Sequence, residues 1–203
     1  MRGLLALAIV AAAALGAPAA GAQPRLPRVE GEPHLWVGGG PALMVLDRSP
    51  YEASTGPGLH LGVRAPLTDQ FHLLAELQSG SFSLRRPAPD PCPEPPEPCE
   101  AVDFPYSVQV LTGAVGLAYV VDVTRLTPSF GALLGLAQLG AGDSSFRALQ
   151  GQRAVERHLG LQLAGGLDYR LTERWSVGLA LRLFMGSGID VTTAAAQVQW
   201  AAW

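Results

Sequence analysis

The residue types that could carry chemistry in this 203-residue chain are four histidines, scattered carboxylates and arginines, and a short run of serines. His60, His158 and Glu76 are of the kinds that bind a metal ion or move a proton. Their separations in the sequence match no ligand motif, so we assign no metal ligand. Three possible nucleophiles alternate along one segment: Ser79, Ser81 and Ser83. Because no base and orienting group can be placed with them, we assign no catalytic residue and no cofactor.

A second interpretation of the same polar residues is structural. Eight of them share the polar phase of segments that alternate with apolar residues: His60, Arg64, Glu76, Gln78, His158, Gln162, Asp168 and Arg182. If these alternating segments are strands that close into a barrel, as argued below, charges in its narrow interior must pair and hydrogen-bond with one another. We therefore predict that these eight residues form a polar network that fills the lumen.

The alternation itself has a period of two, which is the side-chain period of a β-strand. It predicts strands at about 34–46, 57–66, 70–84, 104–122, 127–141, 153–170, 174–186 and 190–203. In the sixth and seventh of these, the apolar phase predicts side chains that face lipid: Leu159, Leu161, Leu163, Val177, Leu179 and Leu181. A helix would scatter these leucines around its surface instead of placing them along one face.

The connections between the predicted strands alternate in length. Two of the short ones share a five-residue pattern, Leu67–Phe71 and Leu171–Trp175, in which an apolar residue, Thr, an acid, a polar residue and an aromatic follow one another. The connections after strands one, three and five are long. Tight turns at one end and long loops at the other are typical of outer-membrane barrels.

The aromatic residues predict two belts, one at each membrane interface. The first belt lies near the short turns and consists of Phe71, Tyr119, Phe130, Tyr169, Trp175 and Trp200. The second is expected near the long loops and consists of Phe82, Phe104, Tyr106 and Phe184.

The N-terminal region and the two cysteines indicate export. A basic residue, an apolar run and a small-residue cleavage pattern predict a cleaved signal peptide over residues 1–22, followed by a flexible leader over 23–33. Cys92 and Cys99 flank a Pro- and Glu-rich stretch, and an oxidising compartment favours a disulfide between them. The formal net charge of −3 and the lack of a basic patch argue against nucleic acid as a partner.

Residues 34–203 resemble small eight-stranded bacterial outer-membrane β-barrel proteins, the class of the OmpA-like transmembrane domain and OmpW-like proteins. The resemblance rests on the signal peptide, the strand count, the Thr-containing turns and the terminal aromatic Trp203. It implies an all-β fold, an eight-stranded antiparallel up-and-down transmembrane β-barrel. It also implies a monomer in the Gram-negative outer membrane, with periplasmic termini and extracellular long loops. The partners it implies are outer-membrane lipids and lipopolysaccharide, with the barrel-assembly machinery and periplasmic chaperones during biogenesis.

The leading functional hypothesis is a non-enzymatic outer-membrane barrel with a plugged lumen. Eight strands enclose too little space for an open pore. The role of the barrel would therefore be envelope integrity, surface interaction or the passage of a small apolar solute. One alternative is an enzyme of the same fold that modifies lipid A or phospholipid. Another is a soluble, secreted, lipocalin-like binding barrel, which requires an apolar lumen and a polar outer face.

Overall fold

The computed structural model describes residues 32–46, 53–84, 106–122, 125–141 and 155–201. Eight strands follow one another and close into a barrel in which every neighbouring pair is antiparallel. The predicted fold class is confirmed, and the observed strand ends differ from the predicted ones by at most three residues. The strands are β1 His34–Leu46, β2 Ser54–Pro66, β3 Phe71–Leu84, β4 Tyr106–Val120, β5 Leu126–Ala141, β6 Val155–Arg170, β7 Trp175–Gly186 and β8 Ile189–Ala201.

The strand registers fix the tilt of the barrel. If each residue is followed to the residue that it pairs with on the next strand, from β1 through β8, the path leaves β1 at His34 and returns to it at Met44. The barrel therefore has a shear of 44 − 34 = 10 residues. A shear of this size means that the strands are strongly inclined to the barrel axis, as closed barrels require (typically ~35–45°).

The two turns with the shared sequence pattern have the same hydrogen bonds. Thr68 Oγ1 accepts from the backbone N–H of Phe71 at 2.9 Å, and Thr172 Oγ1 accepts from that of Trp175 at 3.0 Å. In each turn the apolar residue and the Thr also donate their backbone N–H groups to the carbonyl of the aromatic residue. The threonine is needed because its hydroxyl satisfies N–H groups that the tight turn leaves outside the strand ladder.

The side chains alternate between the lumen and the outer wall along every strand, but the nature of the two faces changes along the barrel. On β3 near the turns, Leu73 and Leu77 point outward while Glu76 and Gln78 point inward. Beyond Gln78 the pattern inverts: serines point outward and Phe82 points inward. Strand β8 shows the same inversion, from Gln197 and Gln199 to Ile189 and Val191 inside. On β4 and β5 only the outer face changes, because buried apolar residues such as Ala118 and Leu133 also face the lumen nearer the turns.

No helix in the described residues is both long and apolar enough to cross a membrane. Several predictions lie outside the described residues: the signal peptide, most of the leader, the Cys92–Cys99 disulfide, Phe104 and Trp203. The domain boundaries at residues 22 and 33 therefore stay predictions.

Candidate functional site

The barrel interior is the candidate site, and it is divided into two halves. The half nearer the short turns, which we call the polar layer, contains buried histidine, arginine, glutamine and carboxylate side chains. The half nearer the long loops, which we call the apolar collar, is a buried cluster of ten residues: Ala42, Met44, Phe82, Val108, Val110, Ala137, Leu139, Phe184, Ile189 and Val191.

A buried ion pair lies at the centre of the polar layer. Arg182 on β7 donates from Nε to both carboxylate oxygens of Glu76 on β3, at 2.8 and 2.7 Å, across the lumen. The side chain of Glu76 has no solvent exposure, and that of Arg182 is 6% exposed. Arg182 Nη1 also donates to the carbonyl of Gly165 at 2.8 Å, and Gln162 Nε2 lies 3.4 Å from Glu76 Oε1. These additional hydrogen bonds offset part of the cost of removing both charges from water.

A second chain of polar contacts runs along the wall from the turn end. Gln197 Nε2 donates to Asp168 Oδ1 at 2.7 Å, so the Oε1 atom of the same amide faces His60. Because that oxygen can only accept, His60 Nε2 is the donor in the 3.3 Å contact. Arg64 extends this polar lining by donating to Gln199 Oε1 at 3.0 Å.

The mouth at the turn end is lined by charged groups. Arg170 Nη2 contacts both carboxylate oxygens of Asp122 at 2.8 and 2.9 Å, and these two side chains remain partly exposed. The mouth contains a cavity of about 30 Å³, and a second cavity of about 20 Å³ lies deeper, beside Arg182 and Gln197. Volumes of this size hold only one or two water molecules.

The eight residues predicted for the polar network do not all lie together. Seven of them are buried in the lumen: His60, Arg64, Glu76, Gln78, Gln162, Asp168 and Arg182. His158 lies apart near the loop end, where its Nδ1 contacts the carbonyl of Ser187 at 2.6 Å and its Nε2 lies 3.6 Å from Glu156. The structure therefore does not bring His60, His158 and Glu76 together. Among the described residues, no cluster of three or more His, Cys, Asp or Glu could hold a metal ion.

The apolar collar corrects one sequence prediction. Phe82 and Phe184 were expected in an outer aromatic belt at the loop end, but both are 1% exposed and point into the lumen. The expectation is wrong because each phenylalanine shares the phase of the lumen residues on its own strand. The Phe184 ring lies against the barrel wall at Gly160 and Gly186. A Cβ at either position would collide with the ring, so glycine there makes room for it.

At the turn end, aromatic residues do lie on the outer wall. The Phe71 and Tyr119 rings meet edge to face with centroids 5.4 Å apart, and those of Trp175 and Trp200 are 6.4 Å apart. Phe130 and Tyr169 are also exposed on this wall. Above them run the six residues predicted to face lipid, of which Leu159, Leu161, Val177 and Leu179 are exposed and Leu163 and Leu181 are half-buried.

Sequence reasoning missed several polar residues of the lumen. Gln197 and Gln199 on β8 are buried and hydrogen-bonded within the polar layer, as described above, and Thr112, Thr193 and His72 are buried as well. A signal for the two glutamines was present, because they alternate with Val198 and Trp200 on the apolar face.

The serines considered as nucleophiles lie on the other side of the wall. Ser79, Ser81 and Ser83 are exposed on the outer face of β3, whereas His60 and His72 are buried inside the barrel. The wall separates these serines from both histidines, so the described residues do not assemble a nucleophile and base from them.

Comparisons with known proteins agree with this architecture. No family model matches the sequence, and no curated protein matches it. Among solved structures, Neisserial surface protein A (NspA) superposes with a TM-score of 0.58 at 12% identity, over 84% of this chain and 97% of that one. OprG, an outer membrane protein from Pseudomonas aeruginosa, superposes with a TM-score of 0.54 at 15% identity, over 85% and 98%. The fold is that of the small outer-membrane β-barrels.

A third similar structure was solved with a ligand. Ail, the attachment invasion locus protein of Yersinia pestis, in complex with the heparin analogue sucrose octasulfate, gives a TM-score of 0.56 at 10% identity, over 85% of this chain and 99% of that one. At these identities the likeness extends to the fold and carries no ligand to this barrel.

Proposed function

We propose that this protein is a non-enzymatic integral barrel of the bacterial outer membrane, with a lumen closed to ions and hydrophilic solutes. The observation that carries the proposal is the outer wall of the turn-end half. Large apolar side chains there are exposed on all eight strands, with Leu134 at 72%, Leu179 at 66% and Val37 at 59%. Such a wall is costly in water, whereas in a bilayer it is the surface that a barrel requires.

The alternative of a soluble binding barrel needs the opposite polarity along the whole strand. This chain has that polarity only at the loop end of β3, β4 and β5, where the interior is apolar and serines and glutamines point outward, whereas Leu43 and Val45 stay exposed at the loop end of β1. We infer that the loop end of β3–β5 stands above the hydrocarbon region and that the leucine rows nearer the turns lie within it.

Labelling of introduced cysteines in lipid vesicles tests this placement. In a background in which Cys92 and Cys99 are replaced by Ser, we expect a membrane-impermeant maleimide to label Ser81→Cys and to leave Leu73→Cys unlabelled. The two positions are eight residues apart on one outward face, about 20 Å in depth for a tilted strand. Equal labelling of both would contradict the membrane assignment. A heat-modifiability gel is the control for folding, since a folded barrel migrates differently before and after boiling.

The closed lumen is supported by the small size of the two cavities and by the packing of the apolar collar. Planar-bilayer recordings of the refolded protein should give no stable conductance steps in potassium chloride. Regular steps from the wild-type protein would overturn this part of the proposal.

A second role is the passage of a small apolar solute. The apolar chemistry of the collar favours it, but the collar is packed, so the passage requires its side chains to move apart. Vesicles containing the protein would then take up a small aromatic compound faster than empty vesicles. A Phe184→Trp variant, which enlarges a collar side chain, should slow that uptake. Equal uptake by vesicles with and without the protein would exclude this role.

A further inference from the structure

A band of polar residues interrupts the apolar outer wall on one side of the barrel, across β3, β4, β5 and β6. All of its members point outward near the loop end, and none lies at the turn end. We call this band the polar strip: Ser79, Ser81, Ser83, Ser107, Gln109, Gln138 and Arg157.

The strand registers make the strip continuous. Ser81 pairs with Gln109, Ser83 pairs with Ser107, and Gln138 pairs with Arg157 across their strand boundaries. Directly opposed side chains on one face of an antiparallel pair lie about 5 Å apart. Gln109 and Gln138 are diagonal neighbours, because Gln109 pairs with Gly140 two residues further along β5. Four adjacent strands give the strip a width of about 14 Å.

The strip lies directly above the apolar rows. The next outward positions toward the turns are leucines on all four strands: Leu77, Leu111, Leu136 and Leu159, exposed by 48%, 49%, 45% and 71%. A molecule lying along this wall would therefore meet leucine with one part and hydroxyl, amide and guanidinium groups with the next. An amphiphile that points its apolar part toward the turns has that sequence of chemistries.

Charge narrows the choice of amphiphile. Among the outward-facing residues of the described strands only Arg157 and Asp190 are charged, and Asp190 lies on β8, away from the strip. The single cation among these described outward-facing residues thus lies where the apolar rows end, beside the amide of Gln138. An arginine guanidinium in this position suits a phosphate oxygen, and the serine and glutamine side chains suit sugar hydroxyls.

We propose that the polar strip is a binding site for the headgroup of a phosphorylated glycolipid, whose acyl chains lie on the leucine rows of β3–β6. The inference rests on the proposed membrane location. It adds the class of lipid that the barrel retains and the side of the barrel, β3–β6, on which that lipid binds. The phosphate contacts Arg157 and the sugar contacts the serine and glutamine side chains.

Native mass spectrometry of the full-length barrel in detergent tests the site. The lipids used are bis-phosphorylated lipid A, the same lipid after removal of its phosphates, and phosphatidylethanolamine. The wild-type barrel should retain the phosphorylated glycolipid preferentially. Arg157→Gln should weaken that retention by about fivefold, the upper range for a solvent-accessible ion pair, and should bring it near the level of the dephosphorylated lipid.

Matched variants separate this site from general effects of charge and polarity. Arg174→Gln removes one exposed positive charge at the turn end and should leave retention unchanged. The variant with all three β3 serines changed to Ala should lose glycolipid, whereas Thr55→Ala with Thr192→Ala, which removes outward hydroxyls on β2 and β8, should not. Retention equal in wild type and Arg157→Gln, or equal for phosphorylated and dephosphorylated lipid A, would overturn the proposal.

Two further outcomes remain distinguishable. A dimer that forms with increasing concentration and is lost in the triple-serine variant would show that a second copy covers the strip, and would refute the lipid site. A barrel that passes the heat-modifiability and labelling tests but shows no glycolipid preference refutes the strip alone. Failure of those earlier tests refutes the membrane location itself.

Discussion

The two ends of the barrel are built on opposite principles. At the turn end, aromatic and leucine side chains cover the outside, and the inside holds charged and amide side chains beside a buried apolar cluster that includes Trp36, Leu74 and Leu133. At the loop end, phenylalanine, methionine and branched aliphatic side chains fill the inside, and serine and glutamine side chains lie outside on β3, β4 and β5. A single strand such as β3 passes from one arrangement to the other without a break. The environment of each segment, rather than the strand itself, determines which phase of the alternation is apolar.

The two interiors are also stabilised differently. The apolar collar gains free energy in proportion to the apolar area removed from water, as the core of a soluble protein does. The polar layer depends on hydrogen bonds and on the Glu76–Arg182 pair, whose net contribution is small but whose disruption leaves a buried charge without a partner. We therefore expect substitutions to have their largest effects in the polar layer.

The largest effect is expected for Arg182→Met. It removes the cation from a fully buried carboxylate and should lower the free energy of unfolding by about 3–5 kcal/mol. Urea unfolding of the barrel in lipid vesicles, followed by tryptophan fluorescence, measures the change.

The double variant Glu76→Gln with Arg182→Met is the control for this prediction. It removes both charges and should recover most of the lost free energy of unfolding, since a neutral replacement of a buried pair is often tolerated. Glu76→Gln alone completes the comparison. If the double variant loses as much unfolding free energy as Arg182→Met and Glu76→Gln lose together, the two side chains are not coupled, and this pair does not organise the polar layer.

Phe184→Ala should have the next largest effect. The ring is buried in the apolar collar, and its removal leaves a cavity over Gly160 and Gly186, which costs about 3 kcal/mol of unfolding free energy. The neighbouring Met185→Ala, on the outer wall of the same strand, removes a side chain that is 36% exposed and should cost less than half as much. Similar losses from the two variants would mean that the loop-end interior is not a packed core.

The alternation in the sequence was sufficient to predict the strands, the closed barrel and the side of the wall on which most residues lie. It was also sufficient, if applied strictly, to place Phe184, which follows Arg182 by two residues and shares its phase. The expectation of an outer belt at the loop end failed because nearness to a strand end was given more weight than phase. Phase is fixed by the pleat of the strand, whereas a belt of aromatics is only a tendency.

The pairing partners inside the barrel were beyond sequence reasoning. Glu76 and Arg182 are 106 residues apart and lie on β3 and β7, which are not neighbouring strands. Their contact depends on closure of the barrel and on the shear, which together determine which side chains meet across the lumen. The same holds for Gln197 and His60, which are separated by 137 residues.

The smallest of these effects is expected at the turn end, in the threonine turns. Thr172→Ala removes the hydroxyl that accepts from the backbone N–H groups of Arg174 and Trp175, at 3.3 and 3.0 Å. The turn is exposed, so water replaces part of the lost interaction, and the expected loss is about 1 kcal/mol of unfolding free energy. Thr172→Ser keeps the hydroxyl and should stay within a few tenths of a kcal/mol of the wild-type protein.

The equivalent pair of variants at Thr68 should behave in the same way, because the hydrogen bonds of Thr68 to Gln70 and Phe71 are the same. If Ser and Ala are equally destabilising at both positions, the methyl group of threonine and not its oxygen maintains the turn, and the shared five-residue pattern has a different physical cause.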